Sequence, residues 1–214
     1  MANSNVAFGL KPIGILGAAP YTSGVTEYRI ASDNSNPIFQ GMAVIPLAAG
    51  VIDDLQAAAG GNVGIAGVFN GCEYVSSTTG EKIFSNYWPG SGADSNFPVK
   101  AFVYDNPNQL FTICTSNVVS AANTEAEVRA AVFANIAFAT GNSGSTTTGI
   151  SSATADLNTI ATTNTLALRI MGVQDDPENS DFTAAGIPLI VRINNHFNAP
   201  TGSIAAGTVS TTGV

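Results

Sequence analysis

The run from Ala66 to Thr115 constrains the fold more than any other part of the chain. Val68-Phe69 leads into Asn70-Gly71, and Glu73-Tyr74-Val75 resumes an extended pattern. Asn-Gly between apolar runs signals a hairpin turn or a bulge, because both residues tolerate positive φ. Ser76 to Gly80 is a turn cluster. Lys82 to Trp88 follows and stops at Pro89-Gly90. Val99 to Tyr104 alternates, ends at Asp105-Asn106-Pro107-Asn108, and Leu110 to Cys114 closes the set. Four short strands joined by turns, rich in aromatic residues and poor in reactive ones, point to a structural role.

Similar signals recur outside this run. Tyr28-Arg29-Ile30 opens a strand, Phe39 to Leu47 forms a second with Gly41 at a possible bulge, and Val51-Ile52 and Asn62 to Phe69 continue the pattern around the Ala-rich Gln56 to Gly61. Thr124-Glu125-Ala126-Glu127 fits a capping box and predicts one short helix. Ile136 to Ala139 is strand-like, residues 141–156 read as a Ser/Thr/Gly loop, and Leu166 to Met171 and Ile187 to Asn194 read as strands. Turn spacing of this kind predicts a mainly β chain, an antiparallel β-sandwich or barrel with at most one or two short helices. Three segments are expected: an extended N-terminal arm (1–24), a β-rich core domain (25–198) and a flexible Gly/Ser/Thr tail (199–214).

The arm is the first candidate surface. Phe8, Leu10, Ile13, Ile15 and Leu16 are apolar, yet Gly9, Pro12, Gly14, Gly17 and Pro20 forbid a regular helix or a central strand. Such a segment cannot fold alone and must lie on its own domain or on a neighbouring subunit. We therefore place Phe8, Leu10, Pro12, Ile13, Ile15 and Leu16 in a subunit interface, together with Tyr87 and Trp88. Tyr87, Trp88 and Pro89 also admit reading as a sugar-stacking platform.

Charge narrows the choice of partner. Only 10% of the 214 residues are charged, against about 25% in ordinary soluble domains. An uncharged polar surface is cheaper to bury than a charged one, which suits extensive protein contacts. The seven bases are scattered, no two of them within ten residues, and the net charge is −8. Nucleic acid is a poor partner for such a chain. No apolar run approaches the ~20 residues that span a bilayer, and the first residues lack the pattern of a signal peptide. Synthesis in a cytoplasm is expected, with Cys72 and Cys114 as reduced, buried thiols.

Catalytic motifs are missing from the sequence. His196 is the only histidine, so a catalytic triad or a Cys-His pair with Cys72 would have to use it. It follows a strand in Asn194-Asn195-His196, a position that suits a structural hydrogen bond. The acidic run Asp175, Asp176, Glu178, Asp181 has hard oxygen ligands, but Ser180 and Gly186 stand where an EF-hand needs glycine and glutamate. A solvated acidic turn is expected there. No enzyme activity, cofactor or metal is predicted.

Several segments together carry a resemblance: Met1 to Asn5, Phe8 to Pro12, Gly67 to Tyr74, Phe84 to Gly90, Tyr104 to Pro107, Leu110-Phe111 and Leu168 to Gly172. In these the chain resembles small structural proteins of tailed bacteriophages, cyanobacterial and marine ones in particular, of the head decoration or cement type. The resemblance implies a β-rich virion protein, made in the bacterial host, that sits on the outer capsid surface. Its partner would be the major capsid protein, and it would self-associate as a trimer or dimer. No catalytic residue is implied. The alternatives are a carbohydrate-binding module of a fibre or head appendage, or a shell-forming capsid subunit. A negative net charge favours the outer face over the DNA-facing lumen.

Overall fold

The computed structural model describes residues 3–17, 24–55, 64–117, 122–140 and 143–199. Among them the chain is mainly β, with two six-stranded antiparallel sheets packed as a sandwich. The barrel alternative is not realised, because neither sheet closes on itself. The Gln56 to Gly61 connection and all but the first residue of the 199–214 tail lie outside the described residues.

The first sheet, A, runs in the order β1 (Lys11–Ile15), β8 (Gln109–Cys114), β12 (Pro188–Ile193), β11 (Leu168–Val173), β9 (Asn135–Thr140) and β10 (Thr154–Ala161). The second, B, runs β2 (Thr26–Ile30), β7 (Val99–Tyr104), β5 (Gly67–Val75), β3 (Ala43–Pro46) and β4 (Ile52–Asp54). Strand β6 (Lys82–Ser85) lies beside β5 beyond the point where β3 leaves it.

Asn70-Gly71 does not turn the chain back. It is a bulge inside the nine-residue β5, where the register with β7 shifts between Phe69 and Gly71. The extra residue resets the two-residue alternation. Phe69 faces one side of sheet B, and after the bulge Cys72 and Tyr74 regain that side. Without it Glu73 would point into apolar packing. Gly71 is required because a Cβ there would stand 2.9 Å from the Ser85 carbonyl oxygen.

The helix α1 (Glu125–Ala130) is capped as its sequence predicts. Thr124 Oγ1 accepts from the Glu127 amide, and the Glu127 carboxylate accepts from the Thr124 amide. Two expectations fail. Residues 154–156, expected to close a Ser/Thr/Gly loop over 141–156, instead open the strand β10. The strand expected over Lys82 to Trp88 ends at Ser85; Tyr87 and Trp88 fold inward over sheet B, and Trp88 pairs singly with Ile38.

Two apolar clusters result. The first fills the space between the sheets, with Phe111 and Ile113 of β8, Ile170 of β11 and Leu189 and Val191 of β12 facing Ala43 and Val68 of sheet B. The second lies on the other side of sheet B and holds Val99, Ala101 and Val103 of β7 with Phe69, Met42 and Trp88.

Candidate functional site

The N-terminal segment lies on its own domain. Asn3 Nδ2 donates to the carbonyls of Asp181, Ala184 and Ala185, and Asn3 Oδ1 accepts from the Asp181 amide at 3.0 Å. Asp176 accepts from Asn179 Nδ2 at 2.7 Å, which turns Asn179 Oδ1 toward the arm to accept from the Asn5 amide, also at 2.7 Å. The acidic loop is therefore the arm's mooring. Asp176 also caps the 3-10 turn Pro177–Asn179, Asp175 binds Arg129 at 2.7 Å, and Asp181 accepts two bonds from Thr183 that hold its carboxyl below the usual range. No group of three His, Cys, Asp or Glu suited to a metal occurs among the described residues.

The arm then crosses the loop ahead of β3 at a pair of glycines. Gly9 and Gly41 both adopt positive φ, and the Leu10 amide donates to the Gly41 carbonyl at 2.8 Å. A Cβ on Gly9 would lie 2.6 Å from that same oxygen. The close approach delivers Leu10 into the first core, where it is 1% exposed. Beyond it, residues 11–15 join sheet A as its edge strand β1, with a register shift between Pro12 and Gly14. An edge is where a proline can sit in a sheet.

The arm residues thus divide. Leu10 is core. Phe8, Pro12 and Ile15 are half-buried against the domain, while Ile13 and Leu16 stay 40% and 41% exposed and Val6 77%. Beside Phe8 and Pro12 lies a cleft of about 520 Å³. The arm supplies Phe8 and Pro12 to its wall, sheet B supplies Asn70 and Tyr104, and the loops add Gln40 and Ile150, which are joined by an isolated bridge. Gln40 Nε2 donates to Asn70 Oδ1 at 3.1 Å, which fixes both amides.

Tyr87 and Trp88 do not form a platform. Trp88 has no exposed surface; its indole N–H donates to the Asn34 carbonyl at 3.2 Å, and Tyr74 meets it edge-on at 5.4 Å. Tyr87 stacks on Phe39 at 5.7 Å. A sugar face or a neighbouring subunit could reach Trp88 only after the second core opened.

The two thiols are free and buried, one far from the other in the fold. Burial pushes the Cys72 thiol up to about 12 and raises Cys114 as well, so neither is a poised nucleophile. His196 is 1% exposed; its Nδ1 accepts from the Asn198 amide at 3.1 Å, and its Nε2 makes no hydrogen bond among the described residues. Burial pulls it down to about 4, Arg192 adds to that effect, and Asp105 opposes it. It is neutral at physiological pH and bridges to Ile65, tying the end of β12 to the segment entering β5.

One pairing is invisible in the linear sequence. Arg169 on β11 and Arg192 on β12 stand opposite each other in the antiparallel register. Both alternate with core residues and so lie on the outer face of sheet A. Arg169 Nε donates to Asn135 Oδ1 at 3.1 Å, and neither guanidinium has a carboxylate partner among the described residues. The Nε of Arg192 is buried without an acceptor. Burial, and then the charge of Arg169, lower the pKa of Arg192. A sequence reading that looks for neighbouring bases misses this pair, since 22 residues of chain separate the two; only the register of two predicted strands could have exposed it.

No protein-family model, no curated protein and no solved structure matches the chain.

Proposed function

We propose that this chain is a structural virion protein that binds the outer surface of a phage head and cements neighbouring capsid subunits against the pressure of packaged DNA. The observation that carries the reading is the division of the arm. Its first part is fixed to the domain by Asn3, Asn5 and Leu10, while Ile13 and Leu16 stay 40% and 41% exposed on or next to the edge strand of sheet A. A rigidly presented apolar edge loses little entropy on docking. Each such side chain is worth roughly 1.5–3 kcal/mol when fully buried, and about half of that remains to be gained here. Many modest contacts repeated by symmetry give a shell its strength. Self-association as a trimer fits the same surface, with the major capsid protein as the second partner.

Deleting the arm does not test this cleanly, because Leu10 and β1 belong to the fold. The double substitution Ile13→Ser with Leu16→Ser does. It should leave the melting temperature within a few degrees of the parent and abolish rebinding to undecorated heads. Normal rebinding by the folded double variant would overturn the reading. Sedimentation of the parent should show a trimer at micromolar concentration.

A further inference from the structure

We propose that Arg169 and Arg192 form an oxyanion site on the outer face of sheet A, and that its natural occupant is a carboxylate on a partner polypeptide. Residues directly opposite in an antiparallel pair have Cβ atoms about 4.5–5.5 Å apart, and like charges placed so are destabilising. A chain with only seven bases sets two of them against each other, and neither is paired with an acid among the described residues. The arrangement is costly for the isolated protein and favourable once an anion sits between the two groups.

The local geometry suits such a ligand. Asn135 holds Arg169 through Nε, which leaves its terminal nitrogens available. Asn135 is itself buried and fixed by donating to the Thr163 carbonyl at 2.9 Å, so Arg169 is held by a rigid partner. The Nε–H of Arg192 is buried and meets no acceptor among the described residues, so any bond from this guanidinium to an incoming group must come from its terminal nitrogens. Two guanidiniums offer forks matched to the planar, two-oxygen shape of a carboxylate. Phosphate oxygens share that chemistry, but the net charge of −8 opposes the approach of a nucleic-acid backbone. A single acidic side chain meets far less of this repulsion. The site lies two strands from the arm, since Arg192 pairs with Leu110 and Leu110 with Gly14, and it does not depend on which partner the arm contacts.

Thermal unfolding of the full chain with and without acetate or inorganic phosphate, at constant ionic strength set with chloride, provides the test. Both anions should raise the melting temperature by several degrees. Arg169→Gln should raise it without any anion, because the repulsion is relieved, and should remove the response to anions. Arg192→Gln should remove the response too. A merely structural arginine would behave oppositely, its loss lowering stability and leaving the anion response as it was; that result would overturn the proposal. A peptide carrying a single glutamate should bind the parent at least about tenfold more tightly than either variant. Tighter binding of an oligo-dT strand than of the peptide would overturn the assignment of the occupant.

Discussion

Sheet B is buried on both faces, and the two cores it separates are built differently. The core between the sheets is dominated by aliphatic side chains from regular strands, with Phe111 and Phe138 as its buried rings. The core behind sheet B has only one layer of strands. Its other wall is loop: Ile38, Phe39 and Met42 ahead of β3, and Tyr87-Trp88 after β6. Rings replace the missing sheet, with Phe39 stacked on Tyr87 and Tyr74 edge-on to Trp88. A sheet surface can be covered by branched aliphatics in register. A loop has no register, so large rings and a few exact hydrogen bonds must close the gap. Those bonds are present: Trp88 and Ile38 exchange two backbone bonds at 2.8 and 3.0 Å, and the indole N–H reaches Asn34.

The largest effect should therefore come from the loop-closed core. Trp88→Ala removes the biggest fully buried side chain, and comparable truncations cost about 3–5 kcal/mol. Urea unfolding followed by circular dichroism measures the loss. The same residue is the chain's only tryptophan, so its fluorescence reports on the second core alone. In the parent protein the fluorescence and dichroism midpoints should coincide, since β3, β5 and β7 serve both cores. A fluorescence transition that clearly precedes the dichroism would break the comparison and make the loop-closed core a separate unit.

The second effect is the converse. Ile113→Ala opens a cavity in the sheet-lined core and should cost about 2–5 kcal/mol. If the cores are coupled through sheet B, the Trp88 fluorescence midpoint shifts by the same amount, although Ile113 belongs to the first cluster and Trp88 to the second. An unmoved fluorescence midpoint would show that the coupling is absent.

The same contrast decides what could be read from the sequence. The first core announces itself wherever strands alternate: Leu110 to Cys114, Leu166 to Met171 and Ile187 to Asn194 all place their strands within a few residues. The capping box at Thr124 is legible because its chemistry is local. Trp88 is not legible. Its partners Ile38 and Asn34 are about fifty residues away, and nothing near Pro89 distinguishes a ring folded inward from one left on the surface. Strand β10 hides for a related reason, since Thr154 to Ala161 carries Asp156 and Asn158, residue types that are depleted in strands. The arm's composition allowed either its own domain or a neighbour, and the crossing at Gly9 and Gly41 depends on a long-range approach that no spacing encodes. Arg169 and Arg192 are hidden in the same way, by register.

A smaller effect tests the join between the cores. His196 bridges to Ile65 where the end of β12 meets the strand entering sheet B. Its folded pKa of about 4 lies below the ordinary 6.5. Above pH 6.5 neither state carries the proton and this group leaves stability flat. As pH falls toward 4 the unfolded chain takes up the proton and the folded chain does not, so stability falls, by at most about 3 kcal/mol. Below pH 4 the contribution levels off. Urea midpoints between pH 7 and 4 should show this slope, and His196→Gln should flatten it. An equal slope in the variant would show that His196 is not its source; Asp181, with its lowered pKa, loses its contribution only in a more acidic window.

The smallest perturbation uses the two thiols, one under each kind of cover. Cys72 belongs to the loop-closed core, and its sulfur lies 3.4 Å from the Tyr87 carbonyl oxygen. Cys114 lies at the end of β8 beneath the arm, 3.7 Å from the Val6 carbonyl oxygen. Both are nearly inaccessible, so a thiol reagent reacts only after local opening. The arm over Cys114 is held there by few apolar contacts, for Val6 is largely exposed. The cover over Cys72 is stitched by two ring pairs and the Trp88 bonds. Cys114 should therefore be labelled first, by a factor of about ten if the covers differ by about 1.4 kcal/mol. Single-cysteine variants, Cys72→Ala and Cys114→Ala, separate the two rates with little change in overall fold. Faster labelling of Cys72 would reverse the comparison, making the aromatic loop the looser of the two closures and the moored arm the tighter.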